Sequence, residues 1–261
     1  MNDIHNTAIV SPDAVLGDNI KIGPYAIVEG GARVGDNCAI EAHARVCGAA
    51  RLGANCRVCS FALVGGEPQD IHFDSSIKSY AEIGEGTVLR ESSTVHRATF
   101  EGKSTIVGKN CFLMASAHVG HDCVVGDNVI IANFSALAGH VVAANDIFIS
   151  GGVMIHQRVR IGEGVIVSGN SAASFDIPPY TIEYGRNQIG GLNLIGMNRR
   201  KMPRADIAEV KHLYNLVYAT ASARKNALAL IDQGAAQTEA GKKFLDFFTM
   251  PNRHYNIPRG E

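Results

Sequence analysis

A six-residue period governs most of this chain. Stepping by six from Ile4 to Val64 meets Ile, Val or Leu at every position. Stepping by six from Ile83 to Ala173 does the same, except at Glu101, Ala143 and Ala173. Four residues after each of the early aliphatics runs a column of small residues: Ala8, Ala14, Ala26, Ala32, Cys38, Ala44, Ala50, Cys56 and Ala62, interrupted only by Ile20. Neither the helical period nor the alternation of a flat strand produces this spacing. A solenoid of hexapeptide repeats does: the aliphatic residue points inward and the small one fills each tight corner. Three repeats make a triangular coil of about 18 residues, stacked about 4.8 Å from the next.

The period breaks between Gly65 and Ala81, which predicts a loop over residues 66–81 ejected from the coil. Long loops inside a compact domain are commonly functional. Asp176-Ile177-Pro178-Pro179 predicts the end of the solenoid, because proline donates no ladder hydrogen bond. Residues 204–249 read as helices, with Ile207, Val210, Tyr214 and Val217 on one face. Thr238 is placed to cap a last helix carrying Phe244, Leu245, Phe247 and Phe248. The expected division is therefore a β-solenoid over 1–185 and a helical domain over 186–261, with the helices covering the open end.

Composition narrows the partners. The 261 residues are 46% apolar and 19% charged, enough for a core and too few charges for a disordered chain. A net charge of -1 gives no global basic excess for nucleic acid or an anionic membrane surface. No apolar run reaches the length of a membrane span. Met1–Val10 shows no basic start followed by an apolar stretch, so a cytoplasmic protein with reduced cysteines is expected. Cys38, Cys56, Cys111 and Cys123 fall in the small column, so the lone Cys56–Cys59 pair reads as packing rather than as a redox or zinc motif.

The histidines acquire meaning through the coil. Residues one turn apart stack, so His121 lies beneath Gly139, which lies beneath Gln157, and Asp122 lies beneath His140. His118, His121, Asp122, Gly139, His140 and Gln157 then gather along one edge. Each His alone reads as a solvated corner residue; together they read as a site. A histidine partnered by a carboxylate serves as a general base. A glycine beside a histidine at a corner leaves a backbone N–H free for an oxyanion.

These residues also carry a resemblance. Ala117-His118-Val119-Gly120-His121-Asp122-Cys123, Leu137-Ala138-Gly139-His140 and Ile155-His156-Gln157 match signature segments of a known family. So do Gln69-Asp70, the run from Arg90 through Thr94-Val95-His96-Arg97, and Asp176-Ile177-Pro178-Pro179-Tyr180. The chain resembles, over nearly its whole length, the UDP-N-acetylglucosamine O-acyltransferases of lipid A synthesis, hexapeptide proteins folded as a left-handed parallel β-helix.

The resemblance implies a cytoplasmic homotrimer with clefts between subunits, an acyl carrier protein as partner bearing a (R)-3-hydroxyacyl thioester, and UDP-N-acetylglucosamine as acceptor. It implies no cofactor, no metal and no covalent intermediate. His121 matches the general base, Asp122 its carboxylate, and the Gly139 N–H the oxyanion donor. His118, His140, His156 and Gln157 match positions lining the sugar and donor site. Asp70 and His96 match nucleotide-sugar positions, and Asn193, Arg199 and Arg200 the stretch that meets the nucleotide. Gly169, stacked over Gly151 and Asn133, matches the floor of the acyl groove, a ruler for chain length. The span from His121 to Gly169 is a rise of about 13 Å along the coil. Arg199, Arg200, Lys201, Arg204 and Lys211 are candidates to dock the acidic carrier.

The chain departs from the family pattern at several places. His72, read as a substrate-binding position, stands where a Lys is usual; Ile195 replaces a Glu, Arg158 an aromatic and Ser150 a Gly. The segment from Gly185 to Asn193 is one residue short. These departures leave open a 3-amino sugar as acceptor. A zinc hydratase of the γ-carbonic-anhydrase type and a non-catalytic scaffold are the rivals that share the fold.

Overall fold

The computed structural model describes residues 1–258. The hexapeptides form short strands whose second residue points inward, as in Val124–Val125, exposed and then buried. Three sheets of 12, 9 and 8 strands, parallel except at one hairpin in the first, make the sides of a triangular column. The first begins at Asp3–Ile4, the second at Ile9–Val10 and the third at Val15–Leu16. This is the expected left-handed parallel β-helix with a small helical C-terminal part. Successive coils pair Phe112 with Ile130, His118 with Ala136 and Val124 with Val142. Many corners place a residue at positive φ, and Asn37, Asn55, Asn110, Asn128 and Asn170 occupy such places. Asn tolerates this backbone because its short polar side chain bonds locally.

The core is the predicted aliphatic column, closed at its corners by Ala and by Cys38, Cys56, Cys111 and Cys123. All six cysteines are free thiols and all are buried. Burial holds the Cys123 thiol up at about 12, that of an inert packing group.

Two segments leave the coil, where the sequence predicts one. Val64 pairs with Val95, and Ala50 with Ala81, so residues 67–79 are extruded. This loop is slightly shorter than the predicted 66–81, because Gly66 and Tyr80 belong to paired strands. Next, Ile83 pairs with Val107 and Val95 with Val119, each 24 residues on. The surplus is one hexapeptide, carried by a second loop over 97–103. An insertion one repeat long leaves the phase of the aliphatic column unchanged, so the periodicity hides it. Glu101, which counting places in that column, is exposed in this loop.

The prolines do not end the column. Ile177 bridges to Ile161, and Thr181–Tyr184 adds to the first sheet, with Glu183 over Val167. Thr181–Tyr184 then forms a hairpin with Gln188–Leu192. The expected division between 185 and 186 falls inside this hairpin, and the helices begin only afterwards. They are α1 (Leu194–Arg199), α2 (Arg204–Val217), α3 (Ala223–Asp232) and α4 (Glu239–Asp246). Thr238 caps α4 as predicted, its hydroxyl accepting from the Gly241 N–H at 3.0 Å. Val210, Leu213, Val217, Phe244 and Phe248 form a second core that takes in Tyr180 from the end of the solenoid. No helix among the described residues is long and apolar enough to cross a membrane.

Candidate active site

The predicted cluster forms at the corner between the second and third sheets. His121 and His140 occupy successive coils there, their rings edge-on with centroids 5.2 Å apart. His121 Nδ1 is 2.8 Å from Asp122 Oδ2, and His140 Nε2 is 3.9 Å from the same oxygen. A tight corner makes this possible: Asp122 has φ of 59°, and its N–H donates to Thr105 Oγ at 2.7 Å. Burial pushes the Asp122 carboxyl up, but hydrogen bonds from Thr99 and His121 outweigh it and leave the group below its ordinary range. Asp122 is thus an anion held against the His121 ring.

Gly139 sits one coil above His121. Its N–H meets no acceptor among the described residues, whereas the neighbouring Ala138 and His140 N–H groups donate to Ile155 and His121 carbonyls. This free donor and the His121 ring border one cavity of about 530 Å³. His96, His118, His156 and Gln157 line it too, as does an apolar strip of Ala136, Met154 and Ala172 on the outer face of the second sheet.

His96 and His118 pack edge to face at 4.9 Å. Thr94 Oγ lies 2.7 Å from His118 Nδ1, while His96 Nδ1 is buried without a partner. Burial pushes the His96 pKa down to about 4, assisted by the neighbouring His118 and His121. Burial also lowers His118 and His140. These three rings are neutral at neutral pH; His96 and His118 line the cavity as polar donors and acceptors suited to sugar hydroxyls, whereas His140, predicted to line it, stands behind with Asp122.

Other predicted residues lie apart from this cavity. Asp70 and His72 sit in the 67–79 loop, where Asp70 Oδ1 accepts from the His72 N–H at 3.0 Å; Gln69 of that loop reaches the cavity instead. Gly151 and Gly169 stack as predicted, but at the corner between the first and second sheets. The rise of about 13 Å is therefore only the axial part of their separation from His121. Asn193 is buried, caps α1 through Gly196 and donates to Gly164 O at 2.9 Å. Arg200 packs against Gly164 at the third corner, with Nη2 buried and unpartnered, while Arg199 is exposed.

Sequence reasoning missed Met154, Ser174 and Arg186 among the cavity residues, and Thr99 behind Asp122. Stacking from His118 through Ala136 points to Met154 and needed only the outward column. Nothing in the period points to Thr99, because its loop is the hidden insertion. The ligand atoms of His121, Asp122 and His140 lie within 4.8 Å of one another, a donor set that suits zinc in kind. Asp122 Oδ2, however, already accepts from Thr99 Oγ at 2.7 Å.

Comparison with known proteins follows the same lines. The family model described as Udp N-acetylglucosamine O-acyltransferase, Domain 2, matches residues 176–255, and the bacterial transferase hexapeptide model matches 13–48 and 104–139. An acyl-[acyl-carrier-protein]--UDP-N-acetylglucosamine O-acyltransferase of Sulfurihydrogenibium is 50% identical, covering 97% of this chain and 94% of its own. That of Campylobacter jejuni is 41% identical over 100% of this chain and 99% of its own. The solved UDP-N-acetylglucosamine acyltransferase from Campylobacter jejuni superposes with a TM-score of 0.91 at 34% identity, covering 98% of this chain and 100% of its own. The chain belongs to the acyl-[acyl-carrier-protein]--UDP-N-acetylglucosamine O-acyltransferase family.

Proposed function

We propose that the protein transfers a (R)-3-hydroxyacyl chain from acyl carrier protein to the glucosamine 3-position of UDP-N-acetylglucosamine, by direct attack. The observation that carries this reading is the His121–Asp122 pair facing a cavity that also presents the free Gly139 N–H. With Nδ1 engaged by Asp122, His121 offers Nε2 to the acceptor hydroxyl and takes its proton as the C–O bond forms. The thioester oxygen, now negative, meets the Gly139 N–H. Collapse of the intermediate expels the pantetheine thiolate, and the proton passes from His121 to that sulfur. A positioned base contributes about 10²–10⁴-fold and an oxyanion donor about 10²–10³-fold. The thioester is already activated, so neither a cofactor nor a metal enters the scheme.

His96, His118, His156, Gln157 and the 67–79 loop hold the sugar in this reading, and the Ala136–Met154–Ala172 strip accepts the acyl chain. Asn193, Arg199 and Arg200 lie on another corner of the same chain, so a homotrimer with sites between subunits supplies them from a second copy. Arg199, Lys201, Arg204 and Lys211 are exposed, as docking an acidic carrier in the cytoplasm requires, whereas Arg200 is half-buried.

The test is mass spectrometry of products. Metal-stripped protein is incubated with UDP-N-acetylglucosamine and mixed 3-hydroxyacyl carrier proteins, beside His121→Ala. An O-acylated nucleotide sugar from the unaltered protein alone is expected. Product only with a 3-amino sugar would change the acceptor; no product with either would overturn the reading.

A further inference from the structure

The two extruded loops are one unit. The Lys78 N–H donates to Glu101 at 2.7 Å, and the Gly102 N–H returns to Lys78 O at 2.8 Å. The Tyr80 N–H donates to Lys103 O at 2.9 Å, and Arg97 reaches Glu67 and the carbonyls of Ser75 and Ile77. The 97–103 loop then turns its other side to the catalytic corner. The Thr99 N–H donates to both Asp122 oxygens, at 3.1 and 3.2 Å, and the Thr99 hydroxyl donates to Oδ2 at 2.7 Å. The carboxylate is about nine-tenths shielded from solvent, so these donors take the place of water.

We propose that Thr99 is a positioning residue for the acyl transfer: it fixes the Asp122 carboxylate, which in turn orients His121. This rests on the reading of His121 as the base. Oδ2 is the atom that faces His121 Nδ1, and the Thr99 hydroxyl bonds that same atom. Held there, the carboxylate accepts the Nδ1–H and leaves the Nε2 lone pair toward the cavity. Without the hydroxyl, Oδ2 carries more of the carboxylate charge and is held on this side only by the longer bond from the Thr99 N–H, so the carboxylate is less firmly set. The first effect strengthens its hold on the His121 imidazolium; the second misplaces the ring.

Thr99→Val removes the hydroxyl and keeps the shape, while Thr99→Ser keeps the hydroxyl. Full-length Thr99→Val is expected to lose kcat by about tenfold or more, the usual weight of a hydrogen bond to a charged group, with little change in KM for UDP-N-acetylglucosamine. The acidic limb of its kcat/KM profile moves to higher pH, because the imidazolium is better stabilised. The other titratable groups facing the pair are His96, His118, His140 and the buried Cys123 thiol, with Arg158 beside His140; none changes in these variants. Thr99→Ser restores both kcat and the limb. An unchanged kcat and limb in Thr99→Val, a loss that Thr99→Ser does not restore, or a rise in KM alone would overturn the proposal.

The ¹⁵N shifts of the His121 ring report its tautomer without turnover. Nδ1–H is expected in the unaltered protein and a tautomer mixture in Thr99→Val. An unaltered tautomer there would overturn the positioning role on structural grounds. Activity surviving in His121→Ala would sink the base assignment instead, so the two failures are told apart.

Discussion

A Cβ on Gly139 would lie 2.5 Å from Cε1 and 2.6 Å from Nε2 of His121. The glycine is there because the imidazole occupies the space a side chain needs. The backbone does not demand it: Gly139 lacks the left-handed φ that its neighbour His140 adopts at 62°. Gly139→Ala should therefore fold with little change in melting temperature and displace the ring. Loss of kcat by about 10²-fold or more is expected, on the scale of a misplaced general base. A melting curve beside steady-state kinetics checks it; an active, well-folded Gly139→Ala would mean that Nε2 is not the reacting atom.

The part of the site that repeats in the coil was legible in the sequence. His121, Gly139 and Gln157 are one turn apart, and so are Asp122 and His140; an 18-residue stack brings them together without side-chain detail. What leaves the coil was not. The surplus carried by the 97–103 loop is one repeat long, so Val107 continues the count from Ile83 unaltered, and Thr99 carried no signal. For Gly169 the count gave only a height along the column, because the rise counts coils and leaves open which side of the triangle a residue occupies. Glu183 escaped notice for a related reason: past Pro178-Pro179 the hexapeptide count lapses, although the chain still points a side chain inward.

Arg97 secures the loop that carries Gln69. Its guanidinium lies 4.8 Å over the Phe73 ring and bonds Glu67 at 3.2 Å and Ser75 O at 3.0 Å. The side chain is largely buried, so its contacts to the ring and the carbonyls are little screened, while Glu67 itself is exposed. Arg97→Ala should release residues 67–79 and raise KM for the nucleotide sugar by about tenfold, roughly one charged hydrogen bond. KM for the acyl donor should move less. Equal increases for both substrates would show that the loop does not serve the sugar.

Glu183 is fully buried, and its carboxyl oxygens have no hydrogen-bond partner among the described residues. Burial raises its pKa to about 7, and the nearby Asn187 N–H and Ser171 hydroxyl, both too loosely set to close a bond, offset little. The unfolded chain releases this proton near pH 4.3. Between that pH and about 7 the folded state holds a proton that the unfolded state has lost, so stability falls as pH rises. The cost reaches at most about 4 kcal/mol above pH 7. Glu183→Gln should raise the melting temperature at pH 8 and leave it nearly unchanged at pH 4. His96 works oppositely: with a folded pKa of about 4, it refuses a proton that the unfolded chain accepts below about 6.5, so stability falls on acidification. Melting curves of Glu183→Gln and His96→Gln across this range separate the two. A Glu183→Gln gain that persists at pH 4 would be a packing effect and not a titration.

Gly169 has no left-handed φ, and a Cβ there would meet Gly151 O at 3.4 Å, an ordinary contact. The positive φ of this corner belongs to the next residue, Asn170 at 58°. The backbone therefore accepts a side chain at 169, and the glycine calls for another cause. The corner borders the second sheet, whose outer strip of Ala136, Met154 and Ala172 leads toward it from His121. A thioether projecting from 169 would occupy the far end of that strip, while the catalytic corner stays as it is. Gly169→Met is expected to shift product toward acyl chains shorter by several carbons, with kcat on the short donor near that of the unaltered protein. Competition among carrier proteins of graded chain length, read by mass spectrometry, measures this. The same preference in both proteins would remove Gly169 from the acyl groove, and equal loss on every donor would make it a structural position.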